Sequence, residues 1–304
     1  MNRWLGRGIN FGNALDALGD GPELPLDGRY FDEVAEAGFT TVRLPVRWSA
    51  HAQAGPPHTI DPAFARRVDA GVAAALDRGL RVVVNVHHYH ELCAAPDEQR
   101  PRFLALWRQI ATRYAGHPGE LCFELLNEPR DQLTAARWNA VLAEALAVVR
   151  AADPGRTVII GPAGMNGLDA LSVLTVPADG NLIATIHYYA PFEFTHQGAG
   201  WVSGAGRWLG RTWGGAADEA AVRGDLAEVA SWGREHGLPV FIGEFGAFSA
   251  ADMASRARWT GFVRAEAERL GLSWAYWEFG TDFGAYDVER AGWREPLRRA
   301  LLGD

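Results

Sequence analysis

The sequence predicts an α/β fold, a single (β/α)8 TIM barrel forming one domain over residues 1–304. Three observations carry that prediction. Eight short apolar runs recur along the chain, each β-rich and bounded by Gly, Pro or polar residues, the pattern of strands buried on both faces. Helical stretches alternate with them, and no linker-like segment interrupts the series. The length, 304 residues with 48% hydrophobic and 22% charged, suits one barrel-sized domain with a large core. A doubly wound open sheet is the alternative, but it calls for an early Gly-rich phosphate loop that the chain lacks.

In order, LGRGINFG is the first predicted strand, followed by a helix over 28–37 that Gly38 closes. TTVRLPV is the second, and its helix over 62–78 opens on Asp61-Pro62, an N-cap followed by a first-turn proline, and ends before Gly79. RVVVNVHH precedes a helix over 98–114, and LCFELLNE one over 134–152. TVIIGPA, the fifth strand, is followed only by LDALSVL, at most a short helix. LIATIHYY is the sixth strand. PVFIGEFG follows a helix over 219–236 and Gly237, SWAYWEFG follows one over 253–270 and Gly271, and a short helix over 296–301 closes the series. The irregular stretch 190–217, with seven Gly from Gly198 to Gly215 and three Trp, is expected to be a cleft wall or lid. Residues 19–28 are expected to wall the other side.

Two of the runs end in glutamates, Glu128 in LCFELLNEP and Glu244 in VFIGEF. An acid at the end of a buried strand is costly unless it lines a cleft and has partners. Two such acids, on strands far apart in the chain, are the minimum equipment for cleaving a glycosidic bond. Active sites of such barrels are built at the C-terminal ends of the strands. The other strands deliver Asn10 and Asn13, Arg43, His87 and His88, Asn127, His187 and Tyr189, and Trp277 and Glu278 to that end.

The segments GINFGN, VRLP, VHHY, LNEP, HYYAPFEFTHQGAGW, GEFG and WEF, in order from Gly8 to about Gly280, resemble glycoside hydrolase family 5, the cellulase family. Within it they look like a bacterial branch of endoglucanases that also accept mannan. The resemblance implies a catalytic barrel that hydrolyses internal β-1,4 bonds of soluble glucans with retention, through a covalent glycosyl-enzyme and without metal or cofactor. It implies Glu128 as the general acid/base and Glu244 as the nucleophile. It also places Asn127 on the sugar 2-hydroxyl, His87, His88 and Asn13 on other hydroxyls, and Trp277 under the ring being cleaved. Arg43, His187 and Tyr189 are expected to keep Glu244 ionised, and Glu128 to hold its proton through partial burial and the Glu244 charge. The alternatives are a β-mannanase or mixed-linkage glucanase of the same family and, from another class, a non-catalytic carbohydrate-binding barrel, which would be expected to lack one of the acids.

Each residue has a competing structural role. Arg43 could be a plain ion-pair residue, Trp277 core, and Glu278 either a support or a substrate contact. Glu124 reads as a buried structural acid and Tyr188 as packing. Trp201, Trp208 and Trp213 are either stacking platforms for outer sugars or anchors of the long loop. His87, His88 and His90 contain the H-x-H pair of metal-dependent barrels, but that class places it on the first strand, whereas here it comes after the third, and the chain has no lysine to complete such a centre. Neutral histidines donating to hydroxyls are preferred.

The net charge of −8 argues against nucleic acid and anionic membrane as partners but does not identify a substrate; the resemblance implies a β-linked polysaccharide or oligosaccharide, and a monomer is expected. No apolar run approaches the ~18 residues of a membrane span. The segment MNRWLGRGINFG lacks the apolar centre of a signal peptide, so the protein is expected to be cytoplasmic, or secreted if a signal has been removed. Two cysteines, Cys93 and Cys122, give no disulfide framework.

Overall fold

The computed structural model describes residues 4–19 and 23–303. The start of the N-terminal segment, residues 1–3, and residues 20–22 of the expected cleft wall lie outside them. Eight parallel strands, β1 (Arg7–Asn10), β2 (Thr41–Leu44), β3 (Arg81–Asn85), β4 (Leu121–Glu124), β5 (Val158–Ile160), β6 (Leu182–Tyr188), β7 (Val240–Phe245) and β8 (Ser273–Tyr276), follow one another round a closed barrel. β8 pairs with β1, completing the ring. Outside it lie α1 (Gly28–Ala37), α2 (Pro62–Leu76), α3 (His90–Ala94), α4 (Pro96–Tyr114), α5 (Ala135–Ala152), α6 (Phe192–Thr195), α7 (Ala216–Glu235), α8 (Met253–Leu270) and α9 (Glu295–Leu302). The segment after β5 makes only a 3-10 turn over Leu168–Val173. A small hairpin, β9 (Tyr286–Asp287) and β10 (Gly292–Trp293), follows β8.

Local chemistry sets the boundaries. The Asp61 side chain accepts from the Ala63 amide and Pro62 takes the first helical position, which starts α2. Gly38 and Gly271 end α1 and α8 with φ of 99° and 76°, a conformation natural to glycine. α7 begins three residues before its predicted start because the Asp218 side chain accepts from the Gly214 and Gly215 amides and caps an earlier turn.

The strands are shorter than their apolar runs, and at three of them this moves site residues off the strand. β3, β4 and β8 stop at Asn85, Glu124 and Tyr276, so His87, His88, Asn127, Glu128 and Trp277 come from the loops beyond. His88 and Glu128 have φ of 50° and 48°, in the left-handed region that cannot continue a strand. Glu124 and Glu128 are therefore not related by strand alternation.

Side chains from β3 to β8 (Val83, Cys122, Ile159, Ile183, Phe241 and Ala275) fill the floor of the barrel with Leu5. Both cysteines are buried and free. Seven of the twelve tryptophans are buried, which leaves only Trp4, Trp201, Trp208, Trp277 and Trp293 with surface to offer. Above the floor the interior turns polar: Asn10 sits level with Arg43, and Asn85 with Glu124. No helix among the described residues is long and apolar enough to cross a membrane.

Candidate active site

Arg43 on β2 is the centre of the polar interior. Its side chain is fully buried, and its Nε and Nη2 donate to the two oxygens of Glu124 on β4 at 2.6 and 3.0 Å. Nη1 donates to Asn10 Oδ1 at 2.8 Å and Glu244 Oε1 at 2.9 Å, and Nη2 to Asn127 Oδ1 at 2.8 Å. Such a planar fork is what arginine offers and lysine does not. Burial alone would favour loss of the charge, but Glu124 and Glu244 outweigh it and Arg43 is held protonated more firmly than usual. Glu124 is thus the structural acid, and Arg43 both an ion-pair residue and part of the site.

Glu244 on β7 is buried and also accepts from the Tyr189 hydroxyl, Oε2 at 2.9 Å. Burial and the Glu244 charge raise the Tyr189 phenol well above its ordinary value, so it stays a donor. Glu128 is more open, its side chain 18% exposed, and its Oε1 is 2.9 Å from His187 Nδ1. The same nitrogen is 3.5 Å from Glu244 Oε2. One oxygen of each carboxylate lies within 4.8 Å of the other and of His187.

His187 hydrogen-bonds Glu128 and also faces Glu244, whose carboxyl its charge lowers, as expected of a residue that helps keep Glu244 ionised. Burial lowers the pKa of His187, but the Glu244 charge and the hydrogen bond and charge of Glu128 outweigh that, and the imidazole is raised. Burial likewise pushes Glu128 up, and the His187 bond and charge, with Arg130 and His88, bring it below its usual value. The two directions belong to one hydrogen bond, so the proton between them titrates with the Glu128–His187 pair and not with either residue alone. Glu128 does not depend on Glu244 repulsion to have a proton at hand. Burial raises Glu244, with His187 and Arg43 pulling the other way.

Asn127, buried, has its carbonyl on Arg43 and its amide nitrogen without a protein partner among the described residues. Trp277 lies parallel to the His87 ring, 3° apart with centroids at 5.8 Å. Gly12 permits this, since a Cβ there would fall 2.8 Å from the indole. Asn13 is only partly available: its Nδ2 donates to Thr281 Oγ1 at 2.8 Å. Burial holds His87 well below the ordinary value and His88 down to about 4, so both are neutral. Glu278 is a support, with both oxygens accepting backbone amides of Gly280, Thr281 and Phe283. Tyr188 points away, its hydroxyl on Asp225.

The long loop splits the three tryptophans. Gln197 pins it, donating to the Phe194 and Arg211 carbonyls and accepting from the Gly210 amide. Trp201 is 59% exposed and edges onto Phe248 and Phe283, and Trp208 is half-buried beside Phe192. Trp213 is 3% exposed against Phe262, so it anchors the loop and cannot stack on a sugar. That corrects its candidacy as an outer subsite.

Asp16 escaped the sequence reading. It is 1% exposed, faces His87 Nε2 at 3.8 Å and His88 Nε2 at 3.7 Å, and neither oxygen has a hydrogen-bond partner among the described residues. Burial pushes its carboxyl up to about 8. An acid amid Ala14, Leu15, Ala17 and Leu18 was the available signal.

Asp16, His87 and His88 stand as close as metal ligands do, as do Glu128, His187 and Glu244. In the first group Asn85 Oδ1 accepts the Val46 amide, so Asn85 Nδ2 must donate to His87 Nδ1 at 3.0 Å. His87 then carries its proton on Nε2, the atom a metal would need. Donation to a hydroxyl fits this tautomer better than ligation.

The Cellulase model, glycosyl hydrolase family 5, matches residues 19–282. The chain belongs to that family. Endoglucanase H of Acetivibrio thermocellus is 35% identical over 98% of the chain, which spans about a third (32%) of that relative's length. Structures of Thermotoga maritima Cel5A, in complex with mannotriose and with cellobiose, are 50% identical with TM-scores of 0.96, covering 99% of this chain and 98% of that one. A hyperthermophilic endo-β-1,4-glucanase in complex with substrate is 40% identical, with a TM-score of 0.96 over 100% and 98% of the two chains. The cellulase-family assignment fits a β-glycan as the substrate of this barrel.

Proposed function

We propose that residues 1–304 act as one catalytic domain, a retaining endo-β-1,4-glucanase working on soluble glucans without metal or cofactor. The observation that carries this is the pair of carboxylates with an oxygen each within 4.8 Å. That suits the ~5–5.5 Å separation of retaining enzymes and leaves no room for the water an inverting enzyme places between its acids. Glu244, gripped by Arg43 and Tyr189, attacks the anomeric carbon; Glu128 gives the leaving oxygen the proton shared with His187. Once the glycosyl-enzyme forms, the Glu244 charge is gone and Glu128, now deprotonated, activates water.

Asn127 Nδ2 takes the 2-hydroxyl, His87, His88, Asp16 and the Asn13 carbonyl take other hydroxyls, and Trp277 is the floor. Trp201 and Trp208 line outer subsites. The protein works as a monomer, with neither nucleic acid nor membrane as partner. Mannan is a second substrate, supported by the mannotriose complex of the Thermotoga maritima relative.

The test is reducing-end release from soluble β-1,4-glucan, β-mannan and xylan, with Glu128→Gln and Glu244→Gln as controls. Release that both substitutions abolish, strongest on glucan, is expected. No release from any polymer would favour a binding barrel instead.

A further inference from the structure

Behind His187, on the side away from Glu128, lies a second and wholly internal group of polar atoms. His187 Nε2, Thr185 Oγ1 and both amide atoms of Asn166 are buried, and none has a hydrogen-bond partner among the described residues. The three residues adjoin. Thr185 and His187 are two apart on β6, and the Asn166 carbonyl accepts the His187 amide at 2.8 Å.

Two glycines border the group, with Thr185 between them: its hydroxyl lies toward Gly243 and His187, its methyl toward Gly161 and Asn166. Ile186 pairs with Ile242 but His187 with Glu244, so Gly243 is the extra residue of a bulge in β7. A Cβ on Gly243 would lie 2.7 Å from Thr185 Oγ1 and 3.3 Å from His187 Nε2. A Cβ on Gly161 would lie 2.9 Å from Asn166 Nδ2 and 2.9 Å from Thr185 Cγ2. The polar atoms therefore stand over bare backbone. Buried polar groups are nearly always bonded, and the occupant that suits hydroxyl, amide and imidazole at once is water.

We propose that Asn166 and Thr185 are positioning residues that, through an enclosed water, accept the Nε2–H of His187 and keep that proton in place through the reaction. With Nε2–H held, the proton that moves is the one on Nδ1. The Nδ1–H bond breaks, an O–H bond forms on Glu128 Oε1, and the imidazolium becomes a neutral imidazole still protonated at Nε2. Without the pocket, His187 is better off neutral with its proton on Nδ1 and Glu128 charged, a state that has lost the catalytic proton. The inference rests on the hydrolase reading above.

The groups facing this proton from other elements are Glu128 and Arg130 beyond β4, Glu244 on β7, Arg43 on β2, His87 and His88 beyond β3, and Tyr189 and His196 beyond β6. None of them is changed in the test. The pH profile of kcat/KM on a soluble β-1,4-glucan is measured for wild type, Thr185→Val, Thr185→Ser and Asn166→Gly. Glycine suits position 166, where φ is 55°.

The basic limb of Thr185→Val is expected to fall by about one pH unit, the scale of a hydrogen bond to a charged group. Thr185→Ser restores it, and Asn166→Gly moves it the same way. Activity lowered evenly across pH in both deletion variants, with the limb unmoved, would overturn the proposal. Imidazole 15N shifts, with His187→Gln supplying the assignment, read the same proton without turnover: the doubly protonated ring persists to higher pH in wild type than in Thr185→Val. An inactive wild type with those shifts would defeat the hydrolase reading and leave the pocket standing; equal shifts in wild type and Thr185→Val would defeat the pocket.

Discussion

Arg43 donates Nη1 to Glu244 at 2.9 Å while its Nε and Nη2 hold both oxygens of Glu124, so one guanidinium orients the Glu244 carboxylate and neutralises a buried acid behind it. Removing one member of a buried pair leaves an uncompensated charge, at about 3–5 kcal/mol. Arg43→Lys keeps the charge but not the fork. It is expected to lower kcat by about 100-fold or more and to destabilise by about 3 kcal/mol, read from initial rates and urea unfolding. Full activity in that variant would show that charge alone suffices.

The division of labour between the carboxylates is tested by rescue. Glu244→Ala should lose turnover and regain part of it with azide, giving a glycosyl azide of inverted configuration. Glu128→Ala should be rescued on activated substrates with retention. Proton NMR of the products decides, and inversion at Glu128 would mean that the two roles are exchanged.

Asp16 is an acid whose folded pKa is raised to about 8 from an unfolded 3.8. Below the unfolded value both states are protonated and nothing is lost. As pH rises the unfolded chain ionises first, so the folded state loses stability until about pH 8. Asp16→Asn should therefore be more stable than wild type at pH 7–9, by on the order of a few kcal/mol, and equal to it near pH 3. Thermal unfolding at the two pH values measures this.

Arg130 donates to the Glu128 carbonyl at 3.1 Å and stands 3.7 Å from its carboxylate, with its own side chain 25% exposed. Its charge helps to hold Glu128 down. Arg130→Gln should move the basic limb of kcat/KM upward, by under about half a unit given solvent screening. The direction is opposite to that expected of Thr185→Val, and the shift should fade at high salt.

The tryptophans of the long loop separate by their burial. Trp201→Ala should raise KM for polymers while leaving the shortest substrates alone and the melting temperature nearly unchanged. Trp213→Ala should cost about 3–5 kcal/mol of stability with no chain-length effect. A stable Trp213→Ala with poor polymer binding would restore that residue as a platform.

All eight strands were legible, because a strand buried on both faces reads as an apolar run whatever surrounds it. The strand ends were less so. Nothing in HHY or NEP announces that His88 and Glu128 take left-handed backbone, so the runs overstate β3 and β4 by three or four residues. Glu128 and Glu244 were legible as acids where none should be affordable. The attachment of His187 to Glu128 was not, since it depends on where that turn aims the carboxylate. Asp16 belongs to no periodic element, and Trp201 and Trp213 are one residue type in one loop, told apart only by what packs over them.

The contacts of Arg43 reach Asn10 on β1, Glu124 on β4, Asn127 beyond it and Glu244 on β7, the last 201 residues away in sequence. A guanidinium tied to so many staves cannot be satisfied by a partial ring. During refolding, helices can form and most strands can pair while Glu244 still lacks its place, because contacts of such sequence separation close late. Hydrolysis by this chain thus serves as a clock for the final closure: its return should lag the helical signal, and no half-barrel fragment should turn over alone.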